Sequence, residues 1–183
     1  MILDHTEQFI DRTMTRLGEL GIEVTGFDMD HIGYQASSDK DYDELCSEFN
    51  TFAKRVSEEI VGGRRVGIYE LHEPLKFEGY IIPAIELVAP KAGQQCHSSL
   101  EHVEFVIKET FESFMSKYPN VAWDVSSIDQ KDFPMIKLRF DENTQVKFHI
   151  KPVLSIVASK RLNSRVGVGV VREKYVISKK IKS

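Results

Sequence analysis

Apolar residues recur along the chain at two periods, about 3.6 and 2, and divide it into helical and strand-like stretches. Over residues 6–20, Phe9, Ile10, Met14, Leu17 and Leu20 fall near helical spacing, with Thr6 as a cap and Gly21 as a stop. Residues 27–35 alternate as a strand. A second helix is predicted from a cap at Ser38 or Asp39, through an acidic first turn. Its apolar stripe of Tyr42, Leu45, Phe49, Phe52, Val56 and Ile60 runs on to the glycine pair Gly62-Gly63. Strands follow at residues 65–71 and 79–88, with a bend at His72-Glu73-Pro74, because proline cannot donate to a ladder.

After a loop over residues 90–99 the same kind of pattern starts again. A strand reaches Ile107 and a helix covers residues 110–117. Strands are then predicted at 121–126, 135–140 and 145–151, the last two joined by a turn at 141–144. Pro152 opens a short helix ending at Ala158, a position proline tolerates. The Val-Gly alternation of residues 166–171 reads as extended or disordered, since glycine weakens its strand propensity. The order β-α-β-β thus appears over 27–88, with one further strand expected near residues 76–79, and β-α-β-β-β over 101–151. The expected fold is α+β: two paired βαβββ modules forming a curled mixed sheet around a cleft, with helices on the outside. The divisions are an N-terminal helix (1–26), a first module (27–90), a second module with a short C-terminal helix (91–159) and a basic tail (160–183).

Composition narrows the class without naming a function. At 183 residues, 42% hydrophobic and 28% charged, the chain has the make-up of an ordinary globular protein. The longest apolar runs are too short to cross a bilayer, and the N-terminus carries no signal-peptide pattern. Cys46 and Cys96 are expected as reduced thiols in a cytoplasmic protein. The net charge of −4 hides an asymmetry: residues 160–183 hold eight basic residues and one acidic, a local +7 that leaves −11 for the rest. A basic tail can reach toward nucleic acid or anionic lipid, but an acidic body and the lack of interleaved aromatics argue against specific nucleic-acid recognition, and neither nucleic acid nor a membrane is expected as a partner. A monomer or homodimer with a small-molecule ligand is expected.

Four side chains carry the chemistry. Strand alternation places His31, His102 and His149, and the carboxylate of Glu86, opposite well-defined core positions. A cluster of three imidazoles and an acid in a cleft is costly unless a cation satisfies its lone pairs, and these donors suit Zn, Fe, Ni or Mn. Glu104, beside His102, is a candidate proton carrier or a group orienting an imidazole. His72, His97, Arg64 and Lys147 are candidate substrate contacts, Arg64 as a clamp for a carboxylate. No phosphate-binding glycine loop or nucleophile elbow is present.

These strings also resemble a known family. Asp30-His31-Ile32, Leu71-His72-Glu73-Pro74, Ile85-Glu86-Leu87, Glu101-His102-Val103-Glu104 and Lys147-Phe148-His149, with Ile156-Val157-Ala158-Ser159 after them, look like the YecM family over roughly residues 6–159. The resemblance implies membership of the vicinal-oxygen-chelate superfamily of glyoxalases, extradiol dioxygenases and antibiotic-binding proteins. It also implies metal ligands at His31, Glu86, His102 and a fourth site that reads His149 where the superfamily commonly has Glu. The function this implies is a divalent-metal pocket acting on a small oxygen-bearing molecule by chelation. If it is an enzyme, it is a lyase, isomerase or dioxygenase type. The alternative is a binding module for an anionic small molecule, without turnover.

Overall fold

The computed structural model describes residues 2–141 and 144–173, residues 164–173 as backbone alone. A 3₁₀ turn (Ile2–His5) leads into α1 (Thr6–Glu19), followed by β1 (Asp28–Gln35), α2 (Asp39–Phe52), β2 (Ala53–Val61), β3 (Arg64–Phe77) and β4 (Tyr80–Val88). The second half contributes β5 (Ser99–Val106), α3 (Phe111–Ser116), β6 (Met135–Arg139), β7 (Gln145–His149) and α4 (Val153–Glu173).

All seven strands join one mixed sheet in the order β2-β3-β4-β1-β5-β7-β6. Strands β1 and β4 are parallel, as are β5 and β7, and the two halves meet where β1 runs antiparallel to β5. That central pairing is centred on Ile32 opposite Val103. A local twofold axis there carries β1 onto β5, β4 onto β7 and β3 onto β6. The expected α+β fold of two modules is the one observed. In the second module the predicted strand at 121–126 is reduced to a single bridge between Asp124 and Lys137. The Asp124 carboxylate accepts the Ser126 N–H at 2.9 Å, turning the chain away from the ladder.

The first half departs from expectation in two places, each with a local cause. Residues 53–61 form strand β2, not the end of the second helix; it supplies the further strand of the first module, expected near residues 76–79, where β3 instead ends and turns into β4. Ala53 is buried in the helix-side core and Val56 in the opposite, cleft-side cluster. Their three-residue interval comes from two faces of one bulged strand, with the register slipping between Arg55 and Ser57, and it imitates a helical stripe. The His72-Glu73-Pro74 segment lies inside β3 as an irregularity between Glu70 and Leu75. The hairpin closes further on, at Glu78 (φ 43°) and Gly79 (φ 90°), the left-handed pair that a two-residue loop requires.

Helices α1, α2 and α3 cover one face of the sheet. Ser38 caps α2 by accepting the Asp41 N–H, and Tyr42, Leu45 and Phe49 are buried against the strands. Each such Leu or Phe contributes about 1.5–3 kcal/mol, so packing holds this 14-residue helix. Helix α4 lies on the other face. Val153 and Val157 pack with Val56, Val66, Ile68, Ala84 and Val88. It continues to Glu173, well past the expected end at Ala158, and takes in the Val-Gly segment. Lys160 ties it to Glu59 of β2 at 2.9 Å and to Asp132 at 3.4 Å, and Arg161 donates to the Val56 carbonyl. The end of the predicted basic tail, 174–183, lies outside the described residues, as does the tip of the 141–144 turn. Among the described residues no helix is long and apolar enough to cross a membrane.

Candidate metal centre

The concave face of the sheet encloses a cleft of about 850 Å³ whose lining includes Arg64, Glu86, Glu101, Glu104, Gln145 and Lys147. Behind that lining, at the twofold axis, lie the three predicted imidazoles, each 2% exposed or less. The registers of β1 and β5 make His31 and His102 twofold mates, and Asp30 and Glu101 likewise. Glu86 pairs with Gly33 across the parallel ladder and Lys147 with Glu104, so Glu86 has Lys147 as its mate. Lys147, rather than His149, therefore stands where symmetry puts the fourth group.

Each imidazole is held through Nδ1. His31 Nδ1 lies 2.8 Å from Asp30 Oδ2, His102 Nδ1 lies 3.0 Å from Glu101 Oε2, and His149 Nδ1 lies 2.6 Å from the Lys151 carbonyl. An acceptor on Nδ1 fixes the proton there and frees the Nε2 lone pair, the arrangement that supports metal-ligating histidines. Asp30 and Glu101 reach their histidines because each is the unpaired residue of a β-bulge, between Met29 and His31 in β1 and between Leu100 and His102 in β5. Sequence reasoning missed both roles, because strict alternation sends neighbouring side chains to opposite faces. The signal that could have found them is the recurring acid-His-aliphatic string.

The freed Nε2 atoms converge on Glu104. His31 Nε2 is 3.4 Å from Oε1 and His149 Nε2 is 3.4 Å from Oε2. His31 Nε2, His149 Nε2 and Glu104 Oε2 are buried with no hydrogen-bond partner. Those separations are long for hydrogen bonds, but two ligands bound at about 2.1 Å to one tetrahedral ion sit about 3.4 Å apart. His149 Nε2 is also 3.4 Å from Asp30 Oδ2. Two sets of donors are close enough to share a cation: His31, Glu86, His102 and Glu104, and Asp30, His31 and His149. The four residues predicted as ligands thus divide between two sets that have His31 in common, and Glu104 joins the first.

Lys147 fills the remaining space. Its Nζ lies 2.7 Å from Glu104 Oε1, 3.0 Å from His102 Nε2 and 3.7 Å from Glu86 Oε1. Burial lowers the lysine's pKa, but Glu104, Glu86 and Glu101 outweigh it and raise the value, so Lys147 is an ammonium. The carboxylates respond in the opposite sense. Burial works against the charge on Asp30, Glu86 and Glu101, yet their histidine partners, with Lys147 at both glutamates, hold each at about 2. Glu104 is held well below the carboxylate range for the same reasons, with His31 as its strongest partner. Burial likewise opposes charge on His31, but Glu104 and Asp30 push its pKa up to about 10. Four carboxylates around one ammonium leave the pocket short of positive charge, which a proton on His31 supplies in the metal-free protein and a metal ion would supply in its place.

The other predicted contacts lie further out. Arg64 lines the cleft and donates to Gln35 Oε1 at 3.0 Å. Arg65 points away, into Asp43 and Glu58. His72 is exposed on β3 and His97 is exposed in the loop before β5, and neither lines the cleft.

Comparison with known proteins gives a consistent result. The family described as YecM protein matches residues 1–159. Protein YecM of Escherichia coli strain K12 is 24% identical over 156 residues, covering 78% of this chain and 83% of that protein. The solved structure of Protein EC4020 superposes with a TM-score of 0.70 at 23% identity, covering 86% of this chain and 90% of that one. The hypothetical protein BH1468 from Bacillus halodurans C-125 aligns with a TM-score of 0.50 at 16% identity, covering 69% and 96%.

Proposed function

The chain belongs to the YecM family, and from the geometry of its pocket we propose that it binds a divalent transition metal and uses it on a small oxygen-bearing molecule held in the cleft. His31, His149 and Glu104 hold the ion, with Asp30 beside them. His102 and Glu86 complete the surrounding cluster. The observation that carries this reading is that His31 Nε2 and His149 Nε2 each face one oxygen of Glu104 at 3.4 Å, and that both nitrogens and Glu104 Oε2 are buried without a hydrogen-bond partner among the described residues. Leaving such atoms unsatisfied costs about 1–3 kcal/mol each, and a cation removes that cost. Imidazole and carboxylate donors favour Zn, Fe, Ni or Mn over Ca or Mg.

When bound, such an ion supplies Lewis acidity toward a substrate oxygen. The chain's own residues do the rest. Lys147 presents an ammonium at the cleft floor for a second oxygen. Arg64 clamps an anionic group on the wall. Glu86, whose side chain is 13% exposed, offers an acceptor that orients a substrate hydroxyl. Glu104 is enclosed by His31, His102 and Lys147 and stays an anionic ligand, not the proton carrier expected from its strand position. One observation favours the competing reading of a module that binds an anion without turnover: Arg64, which acts on the Glu101 carboxylate only through space, gives its hydrogen bond to the neutral amide of Gln35.

Metal analysis of protein expressed in supplemented medium tests the proposal. About one ion per chain is expected in the wild type. His149→Ala and His31→Ala should weaken binding at least tenfold while leaving the circular dichroism spectrum unchanged. A metal-free wild type, or full occupancy in both variants, contradicts it.

A further inference from the structure

The pocket has room and donors for two positive centres, and its contacts show which is built in. On one side His31 Nε2 stands 3.4 Å from Glu104 Oε1 and His149 Nε2 stands 3.4 Å from Glu104 Oε2, and His31 Nε2, His149 Nε2 and Glu104 Oε2 have no hydrogen-bond partner among the described residues. On the other side, His102 Nε2 and Glu104 Oε1 receive the Lys147 ammonium at 3.0 and 2.7 Å, ordinary hydrogen-bond lengths. Apart from Lys147, the groups on that side make a good metal site. Glu86 Oε1 and Glu104 Oε1 lie 3.4 and 3.3 Å from His102 Nε2. The twofold axis gives Lys147 its meaning, because it is the mate of Glu86. A strictly symmetric pocket would carry an acid at both positions. This chain replaces the second acid with a cation that reaches back over the axis.

We propose that Lys147 is a built-in cation that occupies the His102–Glu86 half of a two-cation pocket and confines the divalent ion to the His31–His149–Glu104 half. Lys147 thereby sets how many ions the pocket takes and which donors hold them. It also leaves an ammonium, rather than a second ion, facing the substrate. This rests on the metal-binding reading above and adds to it the division of the site.

The test compares Zn²⁺ stoichiometry, by equilibrium dialysis and elemental analysis, in wild type, Lys147→Met, Lys147→Arg and Lys147→Met with His102→Ala. One ion per chain is expected in the wild type, two in Lys147→Met, and one again in Lys147→Arg and in the double variant. A wild type with one ion and a Lys147→Met protein that also holds one, or none, overturns the role of Lys147 and leaves the metal reading intact. No ion in the wild type but one in Lys147→Met supports the lysine as a cation surrogate and overturns the metal reading. No ion in either overturns both. If Lys147→Met fails to fold even with Zn²⁺ supplied, an ion cannot stand in for the ammonium, and the inference also fails.

Discussion

A Cβ placed on Gly33 would fall 1.9 Å from Cε1 of the His102 ring, with both ring nitrogens within 2.4 Å. No side-chain adjustment on β1 relieves that clash, because Gly33 pairs directly with His102 across the sheet. Gly33→Ala must push the imidazole off Glu101 and Lys147. Overpacking of this kind costs about 1–3 kcal/mol, so the melting temperature should fall by roughly 2–12 °C. An unchanged melting curve would show that the ring is not seated as described. At this scale the sequence is partly legible. His31, His102 and Glu86 announce themselves by alternation within a repeated unit. Asp30 and Glu101 do not, since bulges override alternation. Lys147 stands out as a candidate substrate contact, but its position opposite Glu104 does not, because it depends on a parallel ladder between strands about 40 residues apart in sequence.

Among the elements, α4 is tied to the candidate centre through its first turn. The Val153 N–H donates to both oxygens of Asp30, at 3.2 and 3.0 Å, and the same carboxylate holds His31. This cap satisfies a donor that the helix itself cannot. The Asp30 pKa is depressed from 3.8 to about 2, so its stabilising contribution is present above the ordinary value and lost as pH falls through about 2. A cap of this kind contributes about 1 kcal/mol. In metal-free protein, Asp30→Ala should therefore lower amide protection factors over residues 156–163 about fivefold at neutral pH, and wild type should lose the same protection, relative to the intrinsic exchange rate at each pH, only on acidification toward pH 2. Equal exchange in both proteins at neutral pH would disconnect α4 from Asp30. The helix's N-terminus is legible from Pro152. Its length is not, because the Val-Gly alternation carries a strand signal that a helix already begun at Val153 overrides. Strand β2 shows the reverse: Val56 and Ile60 fit a helical stripe, and only the pairing with β3 reveals a bulged edge strand. Pairing partners lie outside any local window, so local periodicity cannot arbitrate.

In the molecule as a whole, two modules meet with β1 against β5, and the axis between them gathers four carboxylates, three imidazoles and one ammonium beneath a cleft of about 850 Å³. The repeat made that architecture readable, and its two halves differ where the second module has lost a strand to the Asp124 turn and where Lys147 stands as the mate of Glu86. The acidic centre demands positive charge, which Lys147 supplies on one side and, in the proposal above, a divalent ion supplies on the other. Diffraction from crystals of the Zn²⁺-loaded protein, recorded at the zinc absorption edge, examines that assignment atom by atom. One anomalous peak is expected about 2.0–2.2 Å from His31 Nε2, His149 Nε2 and a Glu104 oxygen, with the Lys147 ammonium still on His102. A map with no peak among those atoms, or one whose only peaks lie on the protein surface, would contradict it.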